Sequence, residues 1–343
     1  MLTPKQVQLL QEELATAKNP LFFHDGDADG LASFLVLYRI HHEGKSVALT
    51  SASKLDAQFL RKVEELNPDK IFILDIPIVE QEFIDGAKRP IFWIDHHPPL
   101  ERQNVHYFNP RLTDPTAYVP TTRMAYQVSE NPEDLWIATA GCLADWYMPD
   151  FIDEFIARYP HLLPQKDDLS TMIFHQPVSQ LVKFFFFIQK GPTSEVRKSI
   201  SILKRITSPD EIFQETTTAG KFLHKRFVRI NQMYEVLLAQ AMKHVTRSKL
   251  LLFPYTETQW SFTANLSNEL SARYPFKIVL IARKKSDEMK CSIRGKNILT
   301  LLQKALVGIN GSGGGHPDAC GAVIKEGDWE RFLQNLKEEM KHA

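Results

Sequence analysis

Cysteine is scarce in this chain: three among 343 residues, Cys142, Cys291 and Cys320. An odd, widely spaced set excludes a disulfide framework and a zinc knuckle, and it suits a reducing compartment. Long apolar runs are missing too. The longest, residues 181–188, contains Lys183 and falls far short of the ~18 residues of a membrane span. The N-terminus lacks the basic start, apolar run and small-residue cleavage site of a secretory signal, so a cytoplasmic protein without a membrane partner is expected. Net charge is absent as well, with 41 Lys/Arg against 41 Asp/Glu. Together with 43% hydrophobic residues, this excludes the disordered and collagen-like classes.

The zero conceals an asymmetry. Residues 1–150 hold 13 basic and 22 acidic side chains (−9), residues 151–249 hold 15 and 9 (+6), and residues 250–343 hold 13 and 10 (+3). At ~100–200 residues per domain the length suggests two domains. The expected organisation is a domain over 1–185, a basic helical connector over 186–245 and a smaller domain over 246–343. Residues 196–249 alone hold 11 Lys/Arg and 4 Asp/Glu, including Arg197, Lys204, Arg205, Lys225 and Arg229. A solvated helix face is the plain reading of such a run; contact with a phosphate backbone is the functional one.

Short apolar runs alternate with helical periodicity: LFFH (21–24), a helix near 30–42, VALTS (47–51), a helix near 55–66, KIFILD (70–75), a helix near 78–86 and PIFWID (90–95). Such βαβ repetition predicts an α/β fold, a parallel β-sheet with flanking helices on both faces, and ligands beyond the carboxyl ends of the strands. Residues 119–246 read as mainly helical. From 250 the α/β pattern returns: KLLLF, a helix near 265–273, KIVLIAR, MKCSIRG, a helix near 297–306, a glycine cluster, GAVIK and a closing helix.

Acids gather where the strands end. HDGDADG (24–30) follows the first strand and alternates Asp25, Asp27 and Asp29; Asp75 closes IFILD; Asp95, His96 and His97 close IFWI. Three carboxylates this close repel one another without a cation. The opening matches a calcium EF-hand loop, but the twelfth position is Val36 rather than Glu, and the cluster follows a strand rather than a helix. One of these acids is also expected to cap the next helix. Mixed carboxylate and imidazole donors favour a hard to intermediate octahedral cation over structural zinc, and two such cations ~3.5–4 Å apart clamp a phosphoryl centre. The last cluster, GSGGGHPDACG (311–321), is neither a Walker A loop nor a dinucleotide fingerprint. Its glycines let backbone N–H groups approach a phosphate, with His316 as a further donor; Arg294 is either a bidentate phosphate contact or a plain surface cation.

In this order the clusters resemble the DHH phosphoesterase superfamily, of the archaeal-type and RecJ-like or nano-RNase-like layout: HDGDADG, the Asp of ILD, IDHH, a later Asp and a C-terminal GGGH. The resemblance covers nearly the whole chain. It implies Asp25, Asp27, Asp29, Asp75 and His96 as metal ligands, with Asp75 bridging, and His24 as second choice to Asp25. It implies His97 as a phosphate contact and Asp95 as the group orienting the histidines. The fourth motif falls on Asp145 in GCLADWY, without the threonine and glycine that commonly follow it; Asp150 and Asp153 are the fallbacks. Ser292, Arg294, Gly313, Gly314, Gly315 and His316 are implied to grip the substrate across a cleft.

The resemblance implies two divalent metal ions, Mn2+ first and Mg2+ second, and an exonuclease hydrolysing single-stranded or short oligonucleotides from an end with hydroxide as nucleophile. The chain ends soon after the glycine cluster, without room for an added OB-fold, so a short substrate is expected. A phosphoadenosine phosphate phosphatase or cyclic-dinucleotide phosphodiesterase is the alternative. A family II pyrophosphatase lacks the GGGH ending, and a non-catalytic Cdc45-like replication factor need not retain the ligand set. A replication or repair partner is a further expectation. Filling both sites would change the net charge from zero to about +4.

Overall fold

The computed structural model describes residues 1–49, 54–256 and 259–341. Five parallel strands build the first sheet: β1 (Leu21–Asp25), β2 (Lys45–Leu49), β3 (Ile71–Leu74), β4 (Ile91–Ile94) and β5 (His106–Phe108), in the order β2-β1-β3-β4-β5. The pairing is unshifted, so Phe22, Phe72, Phe92 and His106 occupy one cross-strand row. Their rings stack at centroid distances of 5.2, 5.1 and 5.0 Å. The next row, Phe23, Ile73, Trp93 and Tyr107, takes the opposite face, as the period-2 pleat requires. Full burial of each such side chain contributes about 1.5–3 kcal/mol.

Helices cover both faces. Phe34 of the helix Ala28–His41 meets Phe22 edge-on at 5.3 Å. On the other face Val63, Phe83, Ile84 and Ala87, from the helices Leu60–Leu66 and Gln81–Ala87, join Phe23, Ile73 and Trp93 in one core. The helix expected near 78–86 begins at Gln81 because Ile78–Val79 instead pairs, in parallel, with Lys54–Leu55. The strand expected over 47–51 runs from Lys45 to Leu49; Thr50 and Ser51 lie outside the described residues. Strand β5 was not expected.

The chain divides into two units, Met1–Phe227 and Val228–Ala343. This division falls inside the segment expected as a connector. The second unit holds a mixed sheet of β6 (Leu250–Thr256), β7 (Ile278–Lys285), β8 (Glu288–Arg294), β9 (Gly311–His316) and β10 (Ala319–Lys325), ordered β9-β10-β8-β7-β6, in which only β6 and β7 run parallel. The helices Ile298–Ala305 and Trp329–Glu339 bury Leu302, Phe332 and Leu336 against Ile293, Ala322 and Ile324 of one sheet face. The glycine cluster is therefore an exposed edge strand. Among the described residues no helix is long and apolar enough to cross a membrane.

Candidate metal centre

The unshifted register that aligns the aromatic rows also aligns the residues just beyond them. One residue past the last paired row of β3 and β4, the chain places Asp75 and Asp95 beside Asp25, with Asn109 in the corresponding place after β5. Asp75 N–H donates to the Ile94 carbonyl and Asp95 N–H to the Phe108 carbonyl, continuing the ladder by one step. The order β2-β1-β3 reverses direction at β1, and the crevice at the carboxyl end of such a switch point is where open α/β sheets bind ligands.

Asp75 has φ +62°, a left-handed conformation that costs a non-glycine residue of order 1–3 kcal/mol and concentrates at functional sites. Its side chain is buried. Asp27 caps the helix Ala28–His41, accepting from Gly30 N–H at 2.9 Å. A side chain at Gly30 would meet the Asp25 carbonyl oxygen at 2.5 Å, so only glycine lets the helix start this close to the strand end.

Among the described residues, three groups of potential ligands result: Asp25, Asp27 and Asp75; Asp75, His96 and His97; Asp29, His96 and Asp145. Within each group the ligand atoms lie within 4.8 Å of one another, and the groups are joined through Asp75 and His96. His96 Nε2 lies 3.3 Å from Asp75 Oδ1 and 3.7 Å from Asp145 Oδ2. Asp29 and Asp75 are buried and Asp25, Asp27 and Asp145 half-buried, all among like charges. Burial, then Asp27, pushes Asp25 up to about 7; burial, then Asp29, pushes Asp145 up to about 9. Burial together with Asp29 and Asp27 raises Asp75 well above its ordinary range. Burial lowers His96 and so favours the neutral imidazole a metal requires. This donor set fits hard divalent cations, whose charge would offset the repulsion.

The remaining expected residues divide clearly. Asp95 is fully buried and accepts from His97, from Nδ1 at 2.7 Å and from the main-chain N–H at 3.1 Å. His24 belongs to none of the three groups: its ring stacks on Phe34 at 5.2 Å, and its Nδ1 lies 2.7 Å from the Asp25 carbonyl oxygen. Of the fallbacks for the fourth motif, Asp150 is bound bidentately by Arg123 at 2.6 and 2.8 Å, and Asp153 is exposed in the first turn of the helix Ile152–Arg158. Neither lies in a ligand group.

Several supporting residues escaped the sequence reading. Thr121 and Thr122, at the start of the helix Thr121–Ser129, donate their main-chain N–H groups to the two Asp29 carboxylate oxygens at 2.9 and 2.8 Å. These first-turn N–H groups have no partner within the helix and favour an anion. Tyr118 donates to Asp145 Oδ2 at 2.8 Å, and Tyr107 to Asp95 Oδ2 at 3.3 Å. Asn109 binds the Tyr107 hydroxyl and the His97 carbonyl, both at 2.9 Å. Proline before the Thr-Thr pair was the one available signal, as a mark of a helix start.

In the second unit four of the six expected substrate contacts share a face, while Gly313 and Gly315 alternate with them, opposite Ala322 and Cys320. Ser292, Gly321 and Gly314 form one cross-strand row, and Arg294, Ala319 and His316 the next row on that face. Asn268 holds Arg294 Nε at 2.7 Å, and Ser267 meets the Ser292 hydroxyl at 2.8 Å, both from the helix Thr263–Arg273. Gly321 and Ala319 of β10 are small and lie between Arg294 on β8 and the exposed His316 on β9.

Family models match a segment of each unit. The model of the DHH family, N-terminal domain, matches residues 21–144, and that of the DHHA1 domain matches residues 251–342. No curated protein matches the chain. Among solved structures, RecJ from Thermus thermophilus in complex with Mn2+ is similar with a TM-score of 0.71 and 16% identity, over 100% of this chain and 56% of that one. The chain thus spans little more than half the length of that relative. A DHH domain from a member of the s1p family of ribosomal proteins is similar with a TM-score of 0.66 and 14% identity, over 98% and 89%. An exonuclease RecJ bound to manganese gives 0.61 and 15%, over 98% and 94%. At these identities the likeness is one of fold.

Proposed function

We propose, because the chain belongs to the DHH superfamily of phosphoesterases, that it is an exonuclease hydrolysing single-stranded or short oligonucleotides from an end, with two divalent cations, Mn2+ first. The observation that carries this reading is the set of three ligand groups joined through Asp75 and His96 at the switch point of the sheet.

Asp25, Asp27 and Asp75 would hold one cation, and Asp75, Asp29, His96 and Asp145 the other, with Asp75 shared between them. Two such cations supply electrophilic stabilisation of the phosphoryl oxygens and a hydroxide nucleophile near neutral pH. The chain's own groups do the rest. Asp95 fixes the His97 ring through Nδ1, so Nε2 faces outward toward a phosphate oxygen or the leaving oxygen. Burial opposes protonation of His97, but Asp95 and the neighbouring carboxylates outweigh it and hold the ring above its ordinary value of 6.5. His97 therefore contacts the phosphate as a donor and can pass a proton to the leaving oxygen. Arg294, Ser292 and His316, with those N–H groups of Gly313, Gly314 and Gly315 that the pairing with β10 leaves free, would bind the strand end on the second sheet.

Incubation with Mn2+ and end-labelled RNA and DNA of two to thirty nucleotides tests the proposal. Mononucleotides released from one end are expected. Absence of release at every length would sink it, and hydrolysis confined to dinucleotides would assign the site to small molecules instead.

A further inference from the structure

We propose that a nucleic-acid strand runs away from the metal centre along a basic groove at the free edge of β2, so that the substrate is a strand longer than a dinucleotide. This rests on the hydrolase reading above and adds a path and a substrate length to it.

The groove, about 660 Å³, lies wholly within the first unit. Five consecutive residues, Gly44 to Ala48, line it. Neighbours in a strand point to opposite faces, so a cavity touching all five follows the strand's edge. That edge is open, because among the described residues β2 pairs with β1 alone. Lys45 N–H donates to the Pro20 carbonyl, which turns Lys45 and Val47 toward β1 and leaves the backbone groups of Ser46 and Ala48 directed outward. At ~3.3 Å per residue the five span about 13 Å, room for consecutive phosphates. Val196, Arg197 and Ile200 of the helix Thr193–Leu203 form the opposite wall.

Two contacts give the groove its direction. Gln189 lines it and donates its side-chain amide to the main-chain oxygen of Asp27, whose carboxylate belongs to the first ligand group. Ser201 and Lys204 line it and also line an adjoining hollow of about 280 Å³ that includes His42 and Arg205. Together the two cavities carry Lys45, Lys62, Arg197, Lys204 and Arg205 against one carboxylate, Glu65, which binds Lys62 at 2.5 Å. Arg39, also in the hollow, is held by Asp134 at 2.5 Å. An excess of cations spread along an edge suits a polyanion, not a single phosphate. Val47, Leu66, Val196 and Ile200 give the same groove apolar walls, which suit the sugars and bases of nucleic acid and would have no counterpart on inorganic polyphosphate.

Fluorescence anisotropy with a phosphorothioate 12-nucleotide strand, on the full chain with Mn2+, tests the path, alongside kcat/KM for a 12-mer and a dinucleotide. Lys45→Gln with Arg197→Gln should weaken 12-mer binding at least tenfold. The slope of log affinity against log salt should fall by about 1.4, at about 0.7 per lost single-strand contact. The ratio of kcat/KM for 12-mer over dinucleotide should fall at least tenfold. Unchanged affinity and slope would overturn the path, as would displacement of the 12-mer by polyphosphate of equal charge at equal concentration. A wild-type chain inert at every length would instead overturn the hydrolase reading, with the binding result still deciding the groove.

Discussion

Thr122 holds Asp29 twice: its main-chain N–H donates to the carboxylate at 2.8 Å and its hydroxyl to the main-chain oxygen at 3.0 Å. This places the start of one helix against the start of another and fixes a carboxylate that would otherwise be free to rotate. Gly141 makes room for it. A side chain there would lie 2.3 Å from the Thr122 hydroxyl and 2.7 Å from Ala32 Cβ.

Gly141→Ala should therefore cost about 1–3 kcal/mol through overpacking. It should also weaken Mn2+ binding, because the displaced group is Thr122. Urea unfolding measures the first effect and metal titration the second; an unchanged midpoint would show that the helices part without cost.

Asp95 acts through His97, and Asn109 and Tyr107 hold the pair in place. Removal of such supporting hydrogen bonds typically costs 10–100-fold in metal affinity or activity. Asn109→Ala should lower kcat in that range with the fold retained, as read by circular dichroism and initial rates. A change confined to KM would assign Asn109 to substrate binding.

The two acids near the fourth motif should separate. Asp145→Asn removes a member of a ligand group and should reduce Mn2+ binding and activity together. Asp150→Asn breaks only the pair with Arg123, whose acid is 64% exposed. Arg123 is itself buried, so losing its partner costs some stability, but neither residue lies in a ligand group, and activity and metal affinity should hold. Loss of metal on Asp150→Asn alone would reverse the assignment.

The buried acids also set a pH dependence. A carboxyl raised by folding binds its proton more tightly in the folded chain. The metal-free fold is therefore most stable below the ordinary value of 3.8 and loses stability as pH climbs toward about 7 for Asp25 and about 9 for Asp145. Divalent cations compete with those protons, so affinity rises across the same window. The Tm gain from a fixed Mn2+ concentration should be larger at pH 8 than at pH 6. An equal gain at both would show that these acids are already ionised without metal.

Much of this was visible in the sequence, for a physical reason. Strands buried on both faces read as continuous apolar runs; IFIL and IFWI run straight into Asp75 and Asp95, and LFF reaches Asp25 one residue later, past His24. Strand β5 was missed because three residues with an exposed His106 carry neither a run nor an alternation. Glycines are depleted in strands, so nothing in GSGGGH marks a strand, whereas pairing with β10 holds it as an edge. The clamp on Asp29 was invisible because its donors are main-chain N–H groups, which every residue but proline carries.

Counting metal ions tests the central claim most directly, the sharing of Asp75 between two sites. Titration of metal-free protein with Mn2+, followed by calorimetry or electron paramagnetic resonance, should give two ions per chain, with spin coupling between them. Asp75→Asn should weaken both ions together and remove the coupling. One ion in the wild-type chain, or two retained at full affinity after Asp75→Asn, would contradict the account.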